Sequence, residues 1–268
     1  MVIIGGMAQS IPSWEAQIPS LSQSRDVLLY EARGQGPPPT KERSVESFKD
    51  VSLPAQANML METLDEILDK SQRHQQRVDL VGFSLGGRIA LATCILFPER
   101  IRKVHITGVS ADRSPLGHLT VASWKDHVRN GDTLRSFAWS VLLTTYSSKT
   151  IQYWTDNPDY FYTILDFVAE QNTREGLLAL LEQCHAKDDD DEWSTTSMAS
   201  RFPLGKINGR ACVGSMDQAM APVAQVEALC EMLQWDPPTV LPDCGHAAPM
   251  EQPRQWRKNV LEFLDLND

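Results

Sequence analysis

Val78-Asp79-Leu80-Val81-Gly82-Phe83-Ser84-Leu85-Gly86-Gly87-Arg88-Ile89-Ala90-Leu91 is the stretch whose reading decides the fold of this chain. Its first six residues form a short apolar run suited to a buried strand. From Gly86 a helical pattern continues to Phe97, where Pro98 stops it. Ser84 therefore stands on a sharp strand-to-helix turn with a glycine two residues to either side. That is the G-x-S-x-G pattern, in which small neighbours let a serine occupy a strained backbone conformation and present its hydroxyl. Five residues of pattern arise often by chance. The strand before it and the helix after it are the context the pattern requires.

The segments around it follow the same alternation. Val2–Ile4 reads as a buried strand stopped by Gly5-Gly6, and Ser13 opens a modest helix through Leu21. Asp26–Tyr30 reads as a second strand, followed by a proline-rich loop from Arg33 to Pro39. Met59, Leu60, Leu64, Ile67 and Leu68 lie at helical spacing and predict a helix over Leu53–Lys70. Val104–Val109 is a fourth strand. The alternation breaks near Pro115, and from there to Met198 the chain is helical and rich in aromatics, ending in the acidic run Asp188–Glu192. It resumes with a strand at Gly209–Val213, a helix over Pro222–Leu233, a strand at Thr239–Leu241 and a helix over Pro253–Leu266. Short apolar strands alternating with amphipathic helices build a mostly parallel, doubly wound α/β sheet. The expected domains are a core of residues 1–114 and 199–268 and a helical lid of residues 115–198.

A hydroxyl nucleophile needs a base, and the base needs an orienting acid. His246 lies in Asp243-Cys244-Gly245-His246-Ala247-Ala248-Pro249, between the last strand and the last helix. The other histidines are worse placed: His74 in a polar stretch, His105 inside a strand, and His118, His127 and His185 in the insertion. Asp217 follows the penultimate strand in Gly214-Ser215-Met216-Asp217 and gives the chain order Ser…Asp…His. Asp112, after the fourth strand, is its rival and otherwise a loop-capping residue. An oxyanion would need two backbone N–H donors, expected from Leu85 and from Met7 in the Gly5-Gly6-Met7 loop. Gly6 and Phe83 flank these positions and are candidate substrate contacts, with Trp154 among the aromatics roofing an apolar pocket.

Bulk properties exclude other classes. The net charge of −10, with no basic stripe, argues against nucleic acid as a partner. Five scattered cysteines, none at metal-ligand or redox spacing, support neither a zinc site nor a disulfide framework and suit a reducing compartment, hence a cytoplasmic location. No apolar run is long enough to span a bilayer, and Met1-Val2-Ile3-Ile4 is too short for a signal peptide core. The acidic run lacks the spaced ligands of a calcium loop and reads as solvated. Neither a metal nor an organic cofactor is expected. The expected partner is a small acyl substrate, bound by a monomer or homodimer.

These motifs together resemble the α/β-hydrolase superfamily of small esterases, carbon–carbon bond hydrolases and related lyases. Gly5-Gly6-Met7-Ala8-Gln9-Ser10 with Trp14 is similar to the family's His-Gly-x-x-x-Ser…Trp loop, with Gly5 in place of the histidine. Glu31-Ala32-Arg33-Gly34-Gln35-Gly36 is similar to its Asp-x-Arg-Gly-x-Gly segment, with Glu31 for the aspartate. The resemblance implies an acyl-enzyme serine hydrolase. Relatives that use an aspartate nucleophile, dehalogenases and epoxide hydrolases, are disfavoured by Ser84. Ser84-Leu85-Gly86-Gly87-Arg88 also resembles the elbow of the 2-succinyl-6-hydroxy-2,4-cyclohexadiene-1-carboxylate synthases, lyases that eliminate pyruvate. That likeness implies a carboxylate-binding role for Arg88. Against it, Phe83 replaces their tyrosine and their lid arginine motif is missing. A third alternative is a catalytically inactive binding module. Family members also begin with an antiparallel strand pair, which is expected to be absent here and to leave Val2–Ile4 without an edge-side neighbour.

Overall fold

The computed structural model describes residues 1–37, 50–70, 76–184 and 191–266. Six strands form one sheet: β1 (Val2–Ile4), β2 (Leu28–Tyr30), β3 (Val78–Phe83), β4 (Ile101–Thr107), β5 (Asn208–Gly214) and β6 (Thr239–Leu241). Their order is β2-β1-β3-β4-β5-β6, and every pairing is parallel. Parallel sheets are covered on both faces, so their strands are apolar throughout rather than alternating with polar residues. Val2, Ile4, Leu80, Val104 and Ile106 join the larger core on one face. Ile3 and Val81, of opposite parity, join the core on the other.

The helices that cover the sheet follow from their apolar spacing. On the first face lie α2 (Leu53–Lys70) and α3 (Leu85–Leu96). Leu85 to Cys94 is buried at every position, so α3 is apolar all round and runs through the centre of the core. On the second face are α1 (Ile18–Leu21) and α12 (Pro253–Asp265), which buries Trp256, Val260, Phe263 and Leu264. His105 points from β4 to this side, where its Nε2 meets the Asn259 Oδ1 at 2.8 Å. Burial depresses its pKa to about 4, which makes it a neutral core residue.

Among the described residues between β4 and β5 stand six helices: α4 (Pro115–Asn130), α5 (Arg135–Thr145), α6 (Ser148–Asp156), α7 (Pro158–Glu170), α8 (Arg174–Gln183) and α9 (Thr195–Arg201). Hydroxyl caps open four of them, with Ser114, Ser147, Thr173 and Ser194 accepting backbone N–H groups of the first turns. Ala138, Leu142, Trp154, Phe161 and Leu165 give α5–α7 a small core of their own. Leu177, Leu180, Leu181 and Met198, from α8 and α9, belong instead to the main core. The last helices are α10 (Val223–Leu233) and the short α11 (Ala248–Glu251).

Several expectations shift. The fourth strand starts at Ile101 and ends at Thr107, because Gly108 takes a φ of +65° and breaks the extended chain. The helix expected from Ser13 is a 3-10 segment, Ile11–Gln17, running into α1. The second strand begins at Leu28 rather than Asp26. Val2–Ile4 does not lack a neighbour: β2 pairs with it on one side and β3 on the other. Its residues are at most 1% exposed, and the strand at the sheet's edge is β2. The physical reason is a parallel crossover that carries β2 to the outer side of β1. Pro38, Pro39, His74, His185 and Asp188–Asp190 lie outside the described residues.

Candidate active site

Parallel strands gather the residues that follow them at their carboxyl ends. Gly5-Gly6-Met7 follow β1, Ser84 follows β3, Asp217 lies beyond β5 and His246 beyond β6. Ser84 caps α3 with φ 52° and ψ −116°, a conformation costly for a residue with a Cβ. The glycines around it are steric necessities. A Cβ on Gly86 would lie 2.1 Å from the Ile4 carbonyl oxygen, and one on Gly82 would lie 2.5 Å from the Gly87 Cα. The Ser84 N–H donates to the Thr107 carbonyl at 2.8 Å, which fixes the turn against β4.

The structure brings three of the predicted residues into one hydrogen-bonded chain. His246 Nε2 lies 2.9 Å from Ser84 Oγ, and His246 Nδ1 lies 2.6 Å from Asp217 Oδ2. The other Asp217 oxygen accepts the N–H groups of Met220 and Ala221, at 3.0 and 3.1 Å. Both side chains are almost fully buried, so the carboxylate is held in one orientation facing the imidazole. Asp112 is elsewhere: it accepts the Arg113 N–H at 2.6 Å and stays largely exposed.

The Met7 loop crosses close above Ser84. A Cβ on Gly6 would approach Ser84 Cβ to 3.1 Å and the Phe83 ring to 2.8 Å. The Gly6 N–H donates to Gln9 Oε1 at 2.9 Å and the Gln9 N–H to the Gly6 carbonyl at 3.2 Å, which curls the loop. Leu85 is the first residue of α3, where backbone N–H groups have no partner within the helix. A cavity of about 60 Å3 opens on Ser84 and His246, walled by Met7, Phe83, Trp124 and Leu142 among others. The Phe83 ring lies 5.1 Å from the imidazole. A second cavity of about 610 Å3 shares Ala8, Gln9, Tyr146 and Val168 with the first. Trp154 lines this larger one, its ring tilted against those of Tyr146 and Phe161 with centroids 4.7 and 5.2 Å away.

Arg88 has a different place from the one expected. Its side chain turns away from the cavities and donates to the carbonyls of Cys184 and Trp193, the latter at 3.0 Å. It lines neither cavity. At position four of α3 it points under the insertion rather than toward Ser84, so its guanidinium fastens α8 and the approach to α9 to the core.

Sequence reasoning missed Glu251. Its Oε1 accepts the Gly245 N–H at 2.7 Å, and its Oε2 accepts the Ser147 N–H at 2.9 Å and the Thr150 hydroxyl at 2.6 Å. One carboxylate thus joins the His246 loop to the start of α6. The signal available was a carboxylate one helical turn beyond the histidine, too common to single out. Cys244 is adjacent, but burial first and Glu251 second push its thiol pKa up, so it stays protonated and unreactive.

The sequence model described as the Alpha/beta hydrolase family matches residues 1–258. A curated relative, the putative 2-succinyl-6-hydroxy-2,4-cyclohexadiene-1-carboxylate synthase of Bacillus subtilis (strain 168), is 23% identical over 216 residues, 75% of this chain and 70% of the relative. Similar solved structures include the enol-lactonase from Burkholderia xenovorans LB400, with a TM-score of 0.74 and 18% identity over 99% of this chain and 91% of the other. The alpha/beta hydrolase enzyme MGS-M2, from a Medee basin deep-sea metagenome library, also scores 0.74, with 20% identity over 100% of this chain and 90% of the other. The 2-hydroxy-6-oxo-6-phenylhexa-2,4-dienoate hydrolase of Rhodococcus sp. strain RHA1 scores 0.72, with 18% identity over 99% and 90%. At these identities the structures speak for the fold, and the family match over nearly the whole length speaks for descent: this chain belongs to the α/β-hydrolase family.

Proposed function

We propose that the protein is a serine hydrolase that cleaves carboxylic esters through an acyl-enzyme. The observation that carries this reading is the buried chain Ser84 Oγ–His246–Asp217, with hydrogen bonds of 2.9 and 2.6 Å. A serine hydroxyl is a weak nucleophile until a base takes its proton, and Nε2 is within reach to do so. Asp217 holds the proton on Nδ1, leaving Nε2 free to accept, and stabilises the imidazolium that forms. Ser84 Oγ then attacks the ester carbonyl. The backbone N–H groups of Met7 and Leu85 would receive the developing oxyanion, and the imidazolium protonates the departing alcohol. Water repeats the sequence on the acyl-enzyme, releasing the carboxylic acid and restoring Ser84. Helices α4–α9 would serve as the lid over this chemistry.

A fluorophosphonate probe tests the reading directly. It should label Ser84 in the native protein and fail on Ser84→Ala, while p-nitrophenyl acetate turnover is lost in the same variant. An unlabelled native protein would instead make this fold an inactive binding module. The second reading, elimination of pyruvate, is favoured by the elbow and by the name of the Bacillus subtilis relative. Arg88 weighs against it, since its guanidinium is spent on backbone carbonyls, and no arginine lines either cavity among the described residues. Pyruvate release from the synthase's substrate would favour that reading over ester hydrolysis.

A further inference from the structure

The two cavities differ in size, depth and lining, and each difference bears on which substrate fits. The inner one, on Ser84, holds about 60 Å3. A cavity holds one water in roughly 10 to 15 Å3 of such space, so this one accepts an acyl group of about four to six heavy atoms, carbonyl included, and not a long chain. Its walls are deep: Phe83, Trp124 and Leu142 are each at most 4% exposed. The outer cavity is about ten times larger and is faced by Tyr146, Tyr153, Trp154, Tyr160 and Phe167. Tyr153 and Tyr160 are 54% and 53% exposed, which places the mouth of the site on this side.

Order of departure then decides which part of the ester goes where. In a two-step acyl transfer the alcohol leaves while the acyl group remains on the serine. An alcohol lodged in the deep chamber would be trapped behind the acyl-enzyme; one lodged in the outer chamber leaves freely and lets water in. The outer chamber's aromatic rings suit a flat apolar group. Its charged residues are Lys149, Asp243 and Glu251, one cation against two carboxylates, so it offers no net attraction to an acidic leaving group.

We propose that the physiological substrate is a neutral ester of a short carboxylic acid, two to four carbons long, with a bulky aromatic or polycyclic alcohol. The acyl group enters the chamber of Trp124 and Leu142, and the alcohol lies among the tyrosines of the outer one. This rests on the ester-hydrolase reading and adds the substrate class. Ser84 Oγ forms the new C–O bond as the ester C–O bond breaks, and the alcohol leaves with the proton carried by His246. Water then supplies the hydroxyl of the acid and returns a proton to Ser84.

A pair of isomeric esters separates the two orientations without a change in intrinsic reactivity. In 2-naphthylmethyl acetate the ring is on the alcohol; in methyl 2-naphthylacetate it is on the acid. The first should be the better substrate in kcat/KM by on the order of 100-fold, the scale on which a pocket rejects a misfit group. The 2-naphthylmethyl octanoate should be poorer than the acetate by a similar factor. Val141→Ala, which enlarges the inner chamber, should raise the butanoate-to-acetate ratio about tenfold. Preference for methyl 2-naphthylacetate, a flat response to acyl length, or an unchanged ratio in Val141→Ala would overturn the proposal while ester hydrolysis stands. Turnover of neither isomer by a protein whose Ser84 accepts the fluorophosphonate would overturn it as well. If Ser84 is not labelled either, the hydrolase reading falls with it.

Discussion

Glu251 and Ser147 meet across the boundary between the sheet and its helical insertion: the carboxylate accepts the Ser147 N–H at 2.9 Å and its hydroxyl at 2.5 Å. The same carboxylate holds Gly245, next to His246, at 2.7 Å, and the Ala247 N–H donates to the Thr145 carbonyl at 2.9 Å. The His246 loop and the α5–α6 turn are therefore one hydrogen-bonded unit. Ser147 also caps α6, so a single serine serves the helix and the site together.

Glu251 is expected to be a positioning residue. Glu251→Gln replaces one acceptor oxygen by an NH2 that faces donors, which lets the His246 loop drift. A misplacement of under an ångström costs about 10-fold to 100-fold in kcat. The rate at which a fluorophosphonate labels Ser84 should fall by the same factor, since it reports activation of the serine apart from substrate binding. A slower kcat with an unchanged labelling rate, or a lower melting temperature alone, would restrict Glu251 to stability.

Ser84 carries opposite demands of stability and activity. Its φ of 52° with ψ of −116° suits glycine far better than any residue with a Cβ. Ser84→Ala keeps that strain and removes the proposed nucleophile, so turnover should fall by on the order of 10⁴-fold to 10⁶-fold with little change in urea stability. Ser84→Gly should be equally inactive yet more stable than Ser84→Ala by about 1 to 2 kcal/mol. Equal stability of the two variants would show that the turn relaxes without strain.

The strand–helix order and the meeting of Ser84, Asp217 and His246 were legible because each depends on local pattern: apolar runs set the strands, and the Gly-x-Ser-x-Gly step sets the elbow. Leu53–Lys70 and Val78–Phe83 have the bounds that the apolar spacing predicts. What escaped was long-range. Nothing in Val2–Ile4 says that β2 will cross to its outer side. Nor does Arg88 announce that its partners are the carbonyls of Cys184 and Trp193, about a hundred residues away in sequence. The insertion expected over residues 115–198 contributes side chains both to a small core of its own and to the main one. Removing all of it would strip Trp124, Phe137, Leu177, Leu180, Leu181 and Met198 from the main core, so a test of the lid should alter α6 and α7 alone.

Asp217→Asn tests the acid. The asparagine would place an amide against the imidazole Nδ1–H or force the proton to Nε2, the tautomer that cannot accept from Ser84. kcat should fall on the order of 10³-fold to 10⁴-fold. The remaining oxygen can still accept from Met220 and Ala221, so the loop should hold. Asp112→Asn, at an exposed position bonded to its neighbour's N–H, should leave kcat within about twofold. The reverse pattern would move the acid to the end of β4.

Arg88 supplies the last prediction, because its two readings differ in what they measure. As a carboxylate ligand it would govern KM for acidic substrates. As found, it is 7% exposed, donates to two backbone carbonyls and lines neither of the two cavities described above. Desolvation by burial lowers its pKa, while Asp191 and Cys184 act in the opposite direction, so the charge is held by hydrogen bonds rather than by solvent. Arg88→Met keeps most of the apolar stem and removes every donor, leaving the Cys184 and Trp193 carbonyls short of a partner. Each buried group left unsatisfied costs about 1 to 3 kcal/mol. Urea unfolding should therefore show a loss of about 2 to 6 kcal/mol, while KM for p-nitrophenyl acetate measured well below the transition changes less than about twofold. A variant as stable as the native protein but with KM raised selectively for carboxylate-bearing esters would return Arg88 to the binding site and reopen the lyase reading.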